Sequence, residues 1–315
     1  MAITTTSTLP SPVQQSFSYK LLSVPVPNMI HNVFAMKKAM PANGGNTIRF
    51  RRYNPLNTAM VPLGNSGVTP PAQNLTALDI DARISFYGTY VILNEQVTLQ
   101  NQDPVLNECA ARLGVSLRQT EDQLTRDMLA ASAAFINCTG GVNGDTPTEV
   151  TRPDIQLVYQ TLSGYNAYMI SDNIEGEDKF GTQPIRRAFW GMCNTALMSS
   201  LENVDGFVNA DSYPAPNRAL ESEWGSVGNC RFLLSSIGSF FPNASVLGNT
   251  VYNIFVTGLE AYASVHQDQY SATFIYRPPI YDGPLALNAS VGYKFAQVPR
   301  LLNDQWIINL RATIV

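Results

Sequence analysis

Leu78-Asp-Ile-Asp-Ala-Arg-Ile-Ser-Phe-Tyr-Gly-Thr-Tyr90 is the clearest periodic stretch of the chain. Leu78, Ile80, Ala82, Ile84, Phe86, Gly88 and Tyr90 fall on one face, and Asp79, Asp81, Arg83, Ser85 and Tyr87 on the other. A period of two predicts a single strand. Upstream, residues 47–53 alternate Ile48 and Phe50 against Arg49 and Arg51. Between the two runs, residues 54–74 are rich in Pro, Gly, Asn and Ser and read as a loop. Together they predict a long hairpin over 46–95. If the strands pair, Arg49 and Arg51 meet Asp79 and Asp81 across the ladder. Arg52 lies on the opposite face from Arg49 and Arg51, where it is left to reach an acidic neighbour. A two-stranded ribbon is only marginally stable alone, so its apolar face (Ile48, Phe50, Ile80, Ile84) is expected to lie on another copy of the chain.

Upstream of the hairpin, residues 1–45 read as an extended arm. Pro25 and Pro27 flank Val26 in a segment that cannot be helical. A short helix is expected within 29–40, stopped by Pro41 and the Asn43-Gly44-Gly45 turn. Residues 1–78 hold Lys20, Lys37, Lys38, Arg49, Arg51 and Arg52 and no Asp or Glu, which gives +6 against −10 for the remainder. This asymmetry points to nucleic acid or to an acidic surface of a neighbouring copy. Six charges are sparse for a dedicated DNA-binding tail, which favours the neighbour, with Lys37 and Lys38 among the expected contacts.

Downstream, residues 104–137 read as one helix about 51 Å long at ~1.5 Å per residue, with Asp103 as N-cap and Gly114 marking a bend. A second helix is expected over 153–167, capped by Thr151. Strands are expected at 189–193, 229–235, 251–256 and near the end at 293–299 and 306–315, with a helix at 196–201. The order gives an α+β chain.

Composition narrows the function classes. Hydrophobic residues make up 45% and charged residues 14%, against roughly 25% charged in an ordinary soluble domain. So little charge fits a chain whose surface meets other chains; a monomer rich in Ser, Thr, Asn and Gln is the alternative. No run approaches the roughly 20 apolar residues of a membrane helix, and the N-terminus lacks the basic start and apolar run of a signal peptide. Cys109, Cys138, Cys193 and Cys230 are expected to be buried reduced thiols. His31 and His266 each stand apart from any Cys or carboxylate cluster, so neither a metal centre nor a catalytic triad has a supporting motif. Asp79 and Asp81 share a strand face but lack further acidic ligands for a cation. Glu175, Glu177 and Asp178 read as a solvated loop. No catalytic residue, metal or cofactor is expected.

Several segments, taken in order, resemble the major capsid proteins of tailed double-stranded DNA bacteriophages with the Hong Kong 97-like fold. They are similar in particular to the family of podoviruses that carry a virion RNA polymerase. These segments are Asn46-Thr-Ile-Arg-Phe-Arg-Arg-Tyr53 with Thr-Pro-Pro at 69–71, Ile84-Ser-Phe-Tyr-Gly-Thr-Tyr90, and Glu223-Trp-Gly-Ser-Val-Gly-Asn-Cys-Arg-Phe232. Phe255-Val-Thr-Gly-Leu-Glu-Ala-Tyr262 and Asp282-Gly-Pro-Leu285 with Gly292-Tyr-Lys294 complete the set. The resemblance implies an N-terminal arm (1–45), an E-loop hairpin over an adjacent subunit (46–95), a P-domain with spine helix 104–137 (96–184), an A-domain (185–285) and return strands to the P-domain (286–315). It implies self-assembly into hexamers and pentamers of an icosahedral virion shell around DNA bound without sequence preference. A separate scaffolding protein, a portal and a decoration protein are the further partners it implies, with synthesis in the bacterial host cytoplasm and no membrane. An encapsulin-like compartment around an enzyme cargo is the alternative within the fold. A decoration protein or adhesin would need an all-β repeat that is absent, and a hydrolase has no site. Residues 46–95 contain no lysine, so the Lys–Asn isopeptide bond of some relatives cannot form there, and a shell held by non-covalent contacts is expected.

Overall fold

A computed structural model describes residues 26–41, 43–58, 72–100, 105–170, 187–213, 220–245, 248–270, 272–278 and 287–314. Most of the arm, the hairpin tip at 59–71, the Asp103 cap and the acidic cluster at 175–178 therefore lie outside the described residues. The chain opens with β1 (Met36–Met40), β2 (Thr47–Tyr53), β3 (Ala77–Arg83) and β4 (Ser85–Asn94). Then come α1 (Glu95–Gln100), α2 (Val105–Ser132), β5 (Ala134–Asn137) and α3 (Arg152–Gly164). β6 (Phe189–Asn194), α4 (Met198–Glu202), β7 (Phe207–Asn209), β8 (Glu223–Val227) and β9 (Cys230–Ser235) follow. The last strands are β10 (Phe240–Phe241), β11 (Val251–Thr257), β12 (Tyr262–Gln267), β13 (Thr273–Arg277), β14 (Asn288–Leu301) and β15 (Ile307–Thr313).

Two sheets organise these elements. Eight strands run in the order β5-β15-β11-β6-β9-β8-β7, with β10 beside β11. Five others run β1-β12-β14-β13, with β4 on the far side of β14, and β2 and β3 form a separate ribbon. Residues 185–285 thus supply strands to both sheets. The C-terminal stretch divides as well, β14 joining the five-stranded sheet and β15 the eight-stranded one. α2 connects them. Leu113, Leu117 and Leu124 pack on Leu93, Val291, Tyr293 and Phe295 of the five-stranded sheet, while Leu129 and Met128 pack against Trp190, Phe255 and Tyr262.

Three expectations need correction. The segment expected to be helical within 29–40 turns at 31–33 and then runs as β1, parallel to β12 with Met36 opposite Ala263. An isolated helix of that length is marginal, and the ladder of β12 offers its backbone better partners. The long helix ends at Ser132, giving 28 residues and about 42 Å. Phe135 lies in β5, which pairs in parallel with β15, and the helix runs through Gly114 without a break. Third, residues 78–90 are not one strand. The ladder of β2 ends at Thr47–Arg83, and β4 pairs with β14 from Asn94–Asn288 to Ser85–Gln297. The hairpin proper therefore stops at Arg83, and the inward parity flips across Ile84. Ala82 and Ile84 are buried (1% and 6% exposed), but it is Tyr87 and Leu93 that next turn inward toward α2.

Near α3 the local chemistry follows the sequence. Thr151 is the N-cap, and the Asp154 carboxylate accepts from the Thr151 N–H at 3.0 Å. It also accepts from the N–H groups of Thr139 (3.1 Å) and Gly141 (2.7 Å), which ties the preceding turn to the helix start. At Gly141, with φ +99°, a Cβ would stand 2.6 Å from Pro153, so only glycine fits.

Candidate functional site

The ribbon pairs Arg49 with Asp81 and Arg51 with Asp79. Both contacts are two-pronged. Arg49 Nε and Nη2 donate to the two Asp81 oxygens at 2.7 and 2.9 Å, and Arg51 to those of Asp79 at 2.7 and 3.0 Å. The planar guanidinium matches a carboxylate in this geometry. The hydrogen bond from Arg51 holds Asp79 below the usual carboxylate range, and that from Arg49 does the same for Asp81. These carboxylates are engaged by arginines, and among the described residues no three His, Cys, Asp or Glu gather as metal ligands.

The other face of the ribbon grades from buried to exposed. At its base Ala82 and Ile84 join Met40, Val265 and Ala296 in a small core, with Ile48 and Phe50 packed against it. This corrects the expectation that the whole apolar face is left for another copy: the five-stranded sheet of the same chain holds the base. Ile80, opposite Phe50, is half-buried, and beyond it Arg52 stands exposed across from exposed Leu78. Leu56 and Leu75, beyond the paired strands, are exposed apolar residues toward the tip, whereas exposed Tyr53, opposite Ala77, shares the face of Arg51 and Asp79. Lys37 and Lys38 are exposed on β1. Thus Arg49, Arg51, Asp79 and Asp81 form one cluster, while the lysines lie on a different element.

Two features escaped the sequence reading. The first is the face of β4 turned away from α2, where Phe86 (65% exposed), Tyr90 (68% exposed) and Ile92 stand in solvent. Tyr90 borders a trough of about 450 Å³ lined also by Gly88, Ile275, Arg277 and Gly292. Strand periodicity marked Phe86 and Tyr90 correctly as sharing a face, but it could not tell which face is covered. The second is His31, wholly buried, whose Nδ1 lies 2.7 Å from Asp122 Oδ2 of α2. Asp122 Oδ1 accepts from the N–H groups of His31 (2.7 Å) and Asn32 (3.0 Å), and the Tyr262 hydroxyl donates to the His31 carbonyl at 2.6 Å. Burial, with the Asp122 charge adding, pushes the Tyr262 phenol well up, so it remains a donor. These contacts pin the segment entering β1 to α2. A separation of 91 residues left no local signal for the pairing.

The thiols are free, with Cys138, Cys193 and Cys230 buried and Cys109 half-buried. Burial pushes the Cys230 thiol up to about 12, and Cys138 and Cys193 likewise upward. Such thiols are inert toward nucleophilic chemistry.

No protein-family model and no curated protein matches the sequence. Solved structures do match the fold. The head structure of Helicobacter pylori bacteriophage KHP40 superposes with a TM-score of 0.69 at 10% identity, covering 100% of this chain and 98% of that one. The capsid of Ralstonia phage GP4 gives 0.69 at 13% identity over 96% of each chain. The capsid of Cyanophage P-SCSP1u gives 0.66 at 12% identity, covering 96% of this chain and 94% of that one. Superposition over nearly the whole length of these capsid and head chains gives the fold: α+β, Hong Kong 97-like.

Proposed function

We propose that this chain is the major capsid protein of a tailed double-stranded DNA bacteriophage and acts structurally, not as an enzyme. The observation that carries the reading is the end-to-end likeness to capsid and head chains, with 100% of this chain matched to 98% of a phage head protein. A shell protein also explains why so much apolar surface, from Leu56 and Leu75 on the ribbon to Phe86 and Tyr90 on β4, is turned to solvent in one copy. The order of the segments quoted from the sequence is what supports a finer reading, a kinship with the podoviruses that carry a virion RNA polymerase.

Copies gather into hexamers and pentamers that close as an icosahedral head, made in the host cytoplasm and filled with DNA held without sequence preference. The ribbon reaches over an adjacent copy with Leu56, Leu75 and Leu78, while Arg52 meets an acidic neighbour. Lys37 and Lys38 serve contacts of the arm. The division into arm (1–45), E-loop (46–95), P-domain (96–184), A-domain (185–285) and returning strands (286–315) carries over, with two adjustments from the strand pairing. β12 and β13 group with the P-domain sheet, and β15 with the A-domain sheet. A separate scaffolding protein, a portal and a decoration protein complete the head.

Electron microscopy of the purified protein tests the reading. Shells or six- and five-fold capsomers are expected, and a protein that stays monomeric in neutral buffer at all concentrations refutes it. Boiled in detergent with an alkylating agent and no reductant, the particles are expected to run as one monomer band.

A further inference from the structure

We propose that the outer edge of β4 pairs antiparallel with β4 of a second copy, joining chains of two different capsomers across a two-fold axis. This inference rests on the shell reading above and goes beyond it by naming the strand that links one ring to the next.

β4 is ten residues long and pairs in continuous register with β14 along one side. Along its other side it has no strand partner among the described residues. Exposed edge strands invite pairing with other chains, and folded proteins defend them with charges, proline, bulges or shortness. Other edges among the described strands follow that rule. β1 carries Lys37 and Lys38, β13 has five residues and ends in Arg277, and β5 and β7 have four and three residues. The ribbon strands carry Arg49, Arg51, Asp79 and Asp81. Ser85–Asn94 has none of these defences: no charge, no proline and no register shift against β14. It instead exposes Phe86, Tyr90 and Ile92, with Thr89 and Val91 adding strand preference.

The absence of charge also selects the occupant. When a strand pairs antiparallel with its own copy, the residue on the axis faces itself and those around it face near neighbours of the same sequence. A charged strand would therefore set like charges against each other. β4 carries no such penalty. The basic arm is the less suited occupant, because Arg277 and Lys294 flank this part of the sheet and the arm carries no acid. A two-fold contact is self-complementary, whereas contacts around a six-fold or five-fold ring are head-to-tail. Pairing of β4 with β4 therefore connects rings and does not build them.

Two measurements decide it. Single cysteines placed in turn at Phe86, Tyr87, Thr89, Tyr90, Val91 and Ile92 would be oxidised mildly in assembled particles and run on non-reducing denaturing gels. Paired Cα atoms about 4.5–5.5 Å apart fall within disulfide reach. The expected result is a covalent dimer that peaks at one or two positions and never extends beyond two chains. In the second measurement, Tyr90→Lys sets like charges across the axis. The variant is expected to melt as wild type and to form free capsomers with at least a tenfold loss of closed shells. A ladder beyond the dimer, no dimer at any position, or Tyr90→Lys shells at wild-type yield overturns the inference while leaving the capsid reading intact. A wild-type chain that never assembles overturns both.

Discussion

Every residue of β6 and of β9 is buried, whereas in β4 only Leu93 is. β6 and β9 lie inside the eight-stranded sheet between two cores, with Phe189, Cys193 and Phe232 on one side and Trp190, Met192 and Leu233 on the other. β4 has α2 on one face and solvent on the other. Strands of similar apolar content therefore serve different ends. In one region hydrophobic burial holds the single chain together. In the other, comparable side chains stand in solvent in the single chain.

The largest expected effect tests the buried side. Phe232→Ala, at a site fully buried in the core, should destabilise the chain by about 3–5 kcal/mol, read as a lowered denaturant midpoint. Tyr90→Ala on β4 should change the stability read from the same midpoint by under about 0.5 kcal/mol. Equal effects would erase the contrast between the two regions.

The His31–Asp122 contact lies between the two sheets and sharpens the comparison. Asp122→Ala leaves His31 Nδ1 and two backbone N–H groups buried without their acceptor. A loss of about 3 kcal/mol is expected, with earlier proteolysis in the segment before β1. A stability change confined to the region of α2, with that segment still protected, would show that Asp122 does not hold it.

Smaller effects belong to the exposed region. Arg52→Glu should leave thermal unfolding of the capsomer unchanged but weaken contacts between capsomers in low salt, with the difference fading as salt screens it. Normal particle yield and stability in low salt would remove Arg52 from the interface. Thiol labelling of the folded chain should reach half-buried Cys109 first and leave Cys138, Cys193 and Cys230 unmodified until unfolding.

The smallest effect is that of pH on the ribbon. Asp79 and Asp81 have folded values depressed by Arg51 and Arg49. A depressed carboxylate contributes stability above its unfolded value of about 3.9 and loses it as pH falls through the folded value. The clamps should therefore be complete at neutral pH and open only below about pH 4. Amide exchange in 47–53 and 77–83 reads this out: protection lost already near pH 5 would contradict the arginine clamps.

The sequence by itself determined the local grammar: the alternation that makes β2 and β3 strands, the opposed charges that meet across them, the apolar spacing of α2 and the Thr151 cap of α3. All but the charge pairs are set by residues within a few positions of one another or by simple period; the pairs, 28 and 32 residues apart, need in addition only that the two strands of the hairpin meet. Only the tertiary structure decided where strands end and which faces stay dry. Residues 36–40 became a strand because β12 lay beside them, the helix stopped at Ser132 because β15 took up 134–137, and the inward parity flipped after Ile84 because β4 changed partner from the ribbon to β14. The buried clasp of His31 and Asp122 and the uncovered face of β4 likewise arise from contacts between segments far apart in sequence, whose geometry no local pattern encodes.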